Sequence, residues 1–237
     1  MTYEEITDVK IEYPSATFED FKRVAHESVE RFRENKLVSN LEDGNFSLEN
    51  YHQLLLTLFH QVYYSSSSFG LAGTMMDSKQ FKVREYLMEH AEEEKEHWTW
   101  IINDLRESGY TGADPRSTFP SKPTQAYIAF AMFIAHKHPV SRLAMGFVLE
   151  DLSGKFGVKY GSKAAEILGL SRNQDSFTVQ HGELDQGHSH DIIEVLGEAD
   201  LTPYEWAHCC HTAKLTIELY NDMYNYAWDK VAQSVPA

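Results

Sequence analysis

Leu87-Met88-Glu89-His90-Ala91-Glu92-Glu93-Glu94-Lys95-Glu96-His97-Trp98-Thr99-Trp100-Ile101 is the stretch on which the reading of this chain turns. Leu87, His90, Glu94, His97, Ile101 and Leu105 recur at spacings of three and four, so a helix puts all six on one face. That face starts and ends apolar, as a core-facing stripe should, yet its middle holds two imidazoles and a carboxylate. An unpaired ionised group is expensive to bury, so a buried stripe of this kind calls for a cation. Glu94 and His97, at i and i+3, can reach a single metal ion from one helix. Glu93, four residues before His97, is the nearest rival to Glu94, while Glu92 and Glu96 fall on outer or flanking faces.

The anomaly recurs twice. Phe177, His181, Leu184, His188, Ile192 and Val195 form a second stripe with Asp185 on its shoulder, and His181, Asp185 and His188 fall at i, i+4 and i+7. Leu143, Phe147, Glu150 and Gly154 align on a third helix, where the lone carboxylate of Glu150 follows the apolar run from Ala144 to Leu149. Each piece alone is commonplace in an acidic, histidine-rich chain: a solvated helix face or a hydrogen-bonded core network accounts for it. Together they place ligands inward on three helices, and one shared metal site removes the burial cost for all of them. Three carboxylates and three imidazoles, with no thiolate, suit iron or manganese better than structural zinc. About three ligands per metal, with a bridging carboxylate, leaves positions open for dioxygen and substrate. Two Fe(II) against three carboxylates leaves a net charge of about +1, which draws a carboxylate or the lone pair of an amine.

Helical periodicity runs through the rest of the chain, with no convincing strand alternation. Helices are predicted from Thr17, with Asp20 three residues on; from Ser47, fading in Ser65-Ser66-Ser67-Ser68 and ending near Gly70; and from Ser78 to Ser108, stopped by Gly109. Two more follow a turn-rich linker (Gly112 to Pro123) and part near Pro139. A Gly/Lys-rich connection from Gly154 to Gly169 leads to a sixth, from Arg172 to Leu196. Thr202-Pro203-Tyr204-Glu205 combines an N-cap, a proline at the first helical position and the capping-box acid, opening a seventh that runs to Val231. The expectation is an all-α bundle of seven helices, residues 1–237 forming one domain.

Composition narrows the partners. The chain has 237 residues, 42% of them hydrophobic, and a formal net charge of −15, which disfavours nucleic acid and anionic membrane. No run of about 18 apolar residues occurs and the first residues are polar and acidic, so a cytoplasmic protein is expected. Cys209 and Cys210 are adjacent and read most simply as small buried hydrophobes. Tyr63, Tyr64, Phe69, Phe133 and Phe147 suit an apolar tunnel or, more simply, the core.

The segment His90 to Trp100, followed by Asp104-Leu105 and Gly109, resembles the central helix of the haem-oxygenase-like diiron oxidases and oxygenases. Leu149-Glu150 and the string His181 to His188 are similar to that family's remaining ligand motifs, in order and at compatible separations. His60-Gln61-Val62-Tyr63-Tyr64 is also typical of iron-containing redox enzymes of this group, and the resemblance spans roughly residues 20 to 225. It implies a haem-oxygenase-like bundle with Glu94, His97 and His181 on one iron, Asp185 and His188 on the other, and Glu150 able to bridge. It further implies two Fe(II) per chain with the second weakly held, O2 as co-substrate, an electron donor, and oxidation of a small molecule in a natural-product pathway. N-oxygenation of an amine or amino-acid-like substrate is the first expectation; oxidative decarboxylation, desaturation or C–C cleavage of a fatty or amino acid is the second. A homodimer is possible. Some relatives carry a glutamate seven residues before the ligand histidine, where this chain has His90, so His90 and Glu93 stay open as ligands or as supporting groups.

Three other readings remain. A haem oxygenase would use His26 as proximal ligand, and a thiaminase-like hydrolase would use Cys209 or Cys210 as nucleophile. A metal-storage protein would bind iron without catalysing turnover.

Overall fold

Capping residues place the helix starts. Thr17 with Asp20, Ser47 with Asn50 and Thr202 with Glu205 each form a reciprocal capping box, satisfying backbone N–H groups at the first turn. The computed structural model describes residues 13–233, apart from the side chains at 179 and 182–186. These residues form α1 (Phe18–Glu30), α2 (Lys36–Glu42), α3 (Leu48–Met75), α4 (Phe81–Glu93), α5 (Trp98–Glu107), α6 (Lys122–Lys137), α7 (Pro139–Leu152), α8 (Val158–Leu168), α9 (Ser176–Gly197) and α10 (Pro203–Ala232). No strand occurs among the described residues. The all-α class stands, with the seven predicted stretches present and four refinements in how they are cut.

The predicted third helix is split into α4 and α5 by a 3-10 turn, Glu94–Glu96. The Gly/Lys-rich connection is itself helical: α7 passes through a π-turn, Ser153–Gly157, into α8, which stops at Gly169 in the left-handed conformation (φ 66°). α2 is a short helix that periodicity missed, capped by Asn35, whose Oδ1 accepts from the Val38 N–H at 2.9 Å. α3 also runs on past Gly70 to Met75. Its serines do not end it, because Ser68 Oγ donates to the Ser65 carbonyl at 2.8 Å and both hydroxyls face a buried Arg142.

α3 is the axis around which α4, α5, α6, α7 and α10 pack, and α9 lies across α4, α5, α7 and α8. One apolar core joins them, with Phe21, Leu55, Leu58, Leu87, Ile101, Leu143, Met145 and Ile192 among its buried members. The predicted stripe of α4 and α5 is buried along its whole length, from Leu87 through His90, Glu94 and His97 to Ile101 and Leu105. The aromatic expectation divides: Phe69 and Phe147 are buried, whereas Tyr63, Tyr64 and Phe133 are exposed and serve neither tunnel nor core. No described helix is long and apolar enough to cross a membrane.

Candidate metal centre

The 3-10 turn Glu94–Glu96 sets the first pair of candidate ligands side by side. In 3-10 geometry side chains at i and i+3 eclipse, and here Glu94 Oε1 comes within 2.9 Å of His97 Nδ1. Neither atom has a hydrogen-bond partner of acceptable geometry among the described residues. The two approach as neighbours around a common point do: ligands at right angles, each about 2.1 Å from a metal, sit about 3 Å apart. His181 from α9 completes a group in which each residue offers one ligand atom, all within 4.8 Å of one another. Its ring meets that of His97 at 4.7 Å between centroids and 84°. Trp100 stacks on His97 at 4.4 Å and 19°, and Phe177 lies 4.7 Å from His181, so both imidazoles are held by aromatic neighbours. Burial pushes the Glu94 carboxyl upward, but His97 and His181 outweigh it and hold it below the usual carboxylate range.

A second group meets the same criterion: His90 of α4, Glu150 of α7 and His188 of α9. His90 Nε2 is 3.2 Å from Glu150 Oε1, and His188 Nδ1 is 3.7 Å from Glu150 Oε2. His90 is 1% exposed, yet neither of its ring nitrogens has a hydrogen-bond partner among the described residues. Glu93 hangs over the outer side of the pair, its Oε2 3.6 Å from His90 Nδ1 and 3.7 Å from His188 Nε2, with 57% of its side chain exposed. Tyr86 stacks on His90 at 16°, and Phe69 meets the same ring at 4.5 Å.

The residues fit a metal on chemical grounds. A buried polar atom without a partner costs roughly 1–3 kcal/mol, and His90 Nδ1 and Nε2, Glu94 Oε1 and His97 Nδ1 are four such atoms within the two groups. Four imidazoles and two carboxylates without a thiolate form an N/O donor set that suits iron. Five of the six residues predicted from sequence, Glu94, His97, Glu150, His181 and His188, fall into these groups. The side chain of Asp185, the sixth, lies outside the described residues. His90, left open by the sequence, takes its place beside Glu150 and His188; its signal was the burial-face spacing to Glu94. Glu150 therefore stands with His90 and His188 in the geometry.

A cavity of about 120 Å³ adjoins the centre, and Glu94, Glu150 and His181 form part of its wall. That is room for on the order of ten water-sized spheres. Most of the remaining wall is apolar, including Phe32, Leu37, Leu41, Leu54, Leu58 and Phe156. The π-turn contributes Ser153, Phe156 and Gly157, in keeping with the placement of such turns at functional sites.

Two alternative readings lose their footing. Cys209 and Cys210 are fully buried and line no part of this cavity, and burial pushes the Cys210 thiol up to about 11 and Cys209 higher, against a thiolate nucleophile. His26, the candidate proximal haem ligand, points to the surface, 3.2 Å from Asp151, and is likewise absent from the cavity wall.

Comparison with solved structures gives the same fold. A domain of unknown function with a haem-oxygenase-like fold from Shewanella denitrificans superposes with a TM-score of 0.83 at 18% identity, covering 91% of this chain and 94% of that one. Haem oxygenase-1 from the cyanobacterium Synechocystis, in complex with haem, superposes with a TM-score of 0.69 at 14% identity over 92% and 94% of the two chains. A CADD-like protein of unknown function from Nostoc punctiforme gives a TM-score of 0.68 at 14% identity over 90% and 98%. At such identities the likeness carries the fold alone. No curated protein matches the sequence. The sequence model described as "iron-containing redox enzyme" matches residues 52–221, which span α3 to α10 and hold every residue of both groups. On that match the chain belongs to the iron-containing redox enzyme family, with the haem-oxygenase-like helical fold.

Proposed function

We propose that this protein is a non-haem diiron oxygenase that uses O2 to oxidise a small molecule held in the apolar cavity. The observation that carries this reading is the pair of histidine–carboxylate groups, with Glu94, Glu150 and His181 from the two of them in the wall of one cavity. Glu94, His97 and His181 would hold one iron, and His90, Glu150 and His188 the other. When bound, two Fe(II) ions supply the electrons and open coordination positions at which O2 is reduced.

The chain's own residues do the rest. Leu54, Leu58, Phe69 and Phe177 exclude water from the face of the centre that meets the cavity. Trp100 and Phe177 fix the ring planes of His97 and His181, while Tyr86 and Phe69 do so for His90. Glu93, within 4 Å of both His90 and His188, sets a carboxylate charge beside the two rings. N-oxygenation of an amine or amino-acid-like substrate is the reaction we assign. A desolvated pocket beside a cationic centre keeps an amine in the neutral form whose lone pair can react. A second reading, oxidation or cleavage of a carbon chain, is favoured by the largely apolar cavity wall. Either reaction needs a small-molecule substrate and an electron donor as partners.

The test is anaerobic titration with Fe(II), followed by rapid mixing with O2 while the visible spectrum and O2 consumption are recorded. Uptake approaching two irons per chain with O2 consumption supports the reading. Failure to take up iron, or iron-loaded protein that never consumes O2 in any substrate screen, removes it.

A further inference from the structure

α9 begins with an acid that does not do the work its position suggests. Asp175 stands at the N-cap of α9, yet its side chain caps nothing. That role belongs to Asp104 of α5, whose Oδ1 accepts from the Ser176 N–H at 3.0 Å and whose Oδ2 accepts from the Phe177 N–H at 2.7 Å. Asp175 is nevertheless 1% exposed. Its Oδ1 accepts from Thr178 Oγ1, with Tyr51 Oη 3.3 Å away; the single phenolic proton of Tyr51 is directed to the nearer Gln174 carbonyl at 2.6 Å. Its Oδ2 has no hydrogen-bond partner among the described residues. A second carboxylate, Asp104, stands near it, and burial with that neighbour raises the Asp175 carboxyl above its ordinary range.

Asp175 is also a wall residue of the cavity beside the centre. Asp175, Tyr51, Thr178 and Gly161 all belong to the wall of the cavity that reaches Glu94, Glu150 and His181. Gly161 lets α8 pack closely on this end of α9: a Cβ there would stand 2.7 Å from Thr178 Oγ1 and 3.4 Å from Asp175 Oδ2. Asp175 and His181 are six residues apart on one helix, about 9 Å along its axis. The cavity thus joins a metal-ligand group to a buried, under-satisfied carboxylate across apolar walls.

We propose that Asp175 is the anchor for a cationic group of the substrate, a primary ammonium, held about 9 Å along α9 from the centre. An ammonium supplies the charge and the N–H donors that Oδ2 lacks, and an apolar spacer fills the walls between. The substrate is then bifunctional, and the atom presented to the centre is not the anchored nitrogen. This rests on the oxygenase reading only for which end of the substrate is oxidised.

The experiment is calorimetric titration of the full chain with octylamine, octanol and octanoate, without O2, in both the Fe(II)-loaded and the metal-free state. Octylamine should bind on the order of ten- to a hundredfold more tightly than octanol or octanoate in both states, the range for one charge-assisted hydrogen bond. Asp175→Asn, which keeps the shape of the side chain, should remove that preference while leaving octanol affinity unchanged. Equal affinity of the wild-type protein for all three probes would overturn the assignment, whether or not the variant folds. So would an unchanged preference in the folded variant. Because the metal-free protein is included and no turnover is read, failure here is separate from failure of the oxygenase reading.

Discussion

The two ligand groups differ in how they are built. Glu94, His97 and His181 come from a 3-10 turn and one turn of α9, with Glu94 Oε1 2.9 Å from His97 Nδ1 and aromatic neighbours on both rings. His90, Glu150 and His188 come from three separate helices, with His90 Nε2 3.2 Å from Glu150 Oε1, and lie beside the half-exposed Glu93. In the first group local backbone geometry sets two of the three ligand positions, so less reorganisation is needed to bind an ion. In the second, α4, α7 and α9 must hold their relative positions to within a fraction of an ångström. The first group should therefore be the tight site and the second the weak, exchangeable one.

The hardest way to break this comparison is to remove a ligand from each side. Glu94→Ala, His181→Ala and Glu150→Ala should each lower turnover by more than about a hundredfold, beyond what changes behind a metal ligand do, with helicity by circular dichroism retained. Full activity in any of the three would sink the assignment. A calorimetric titration with Fe(II) sharpens it. Two phases should appear, and His90→Ala should erase the weaker while sparing the stronger; a variant that lost the tight phase would reverse the order proposed here.

Smaller effects follow. At about a hundred times the dissociation constant, metal binding contributes about 2.7 kcal/mol to stability, so melting should rise by roughly 5–10 °C for a chain of this size. Chelator should reverse the rise, as read by scanning calorimetry. Glu93→Gln keeps the shape and removes the charge near His90 and His188, so its cost to the weak site should stay under about tenfold in metal affinity. Alkylation with a thiol reagent should leave the native protein unmodified and its activity unchanged, because both cysteines are buried. Rapid modification by mass spectrometry would show that α10 opens far more than its packing suggests.

Much of the centre was legible because a helix converts spacing into direction. Leu87, His90, Glu94, His97 and Ile101 could be placed on one buried face before any coordinates were known, and so could His181 and His188. The helix starts at Thr17, Ser47 and Thr202 were equally readable, since each N-cap satisfies its own backbone within three residues. What escaped were breaks in regular geometry. The 3-10 turn at Glu94–Glu96 and the π-turn at Ser153–Gly157 have no strong local signature. The continuation of α3 through its serines depends on Arg142, more than seventy residues away.

By itself, then, the sequence determined the helical class, the faces that turn inward, and five residues that the fold gathers into the two groups, because periodicity and capping are local. Tertiary structure alone decided the partition. It set His90 beside Glu150 and His188, let Asp104 cap α9 in place of Asp175, and brought Asp175 to the wall of the same cavity as the centre. Those relations join residues on different helices, and spacing along the chain carries no information about which helices meet.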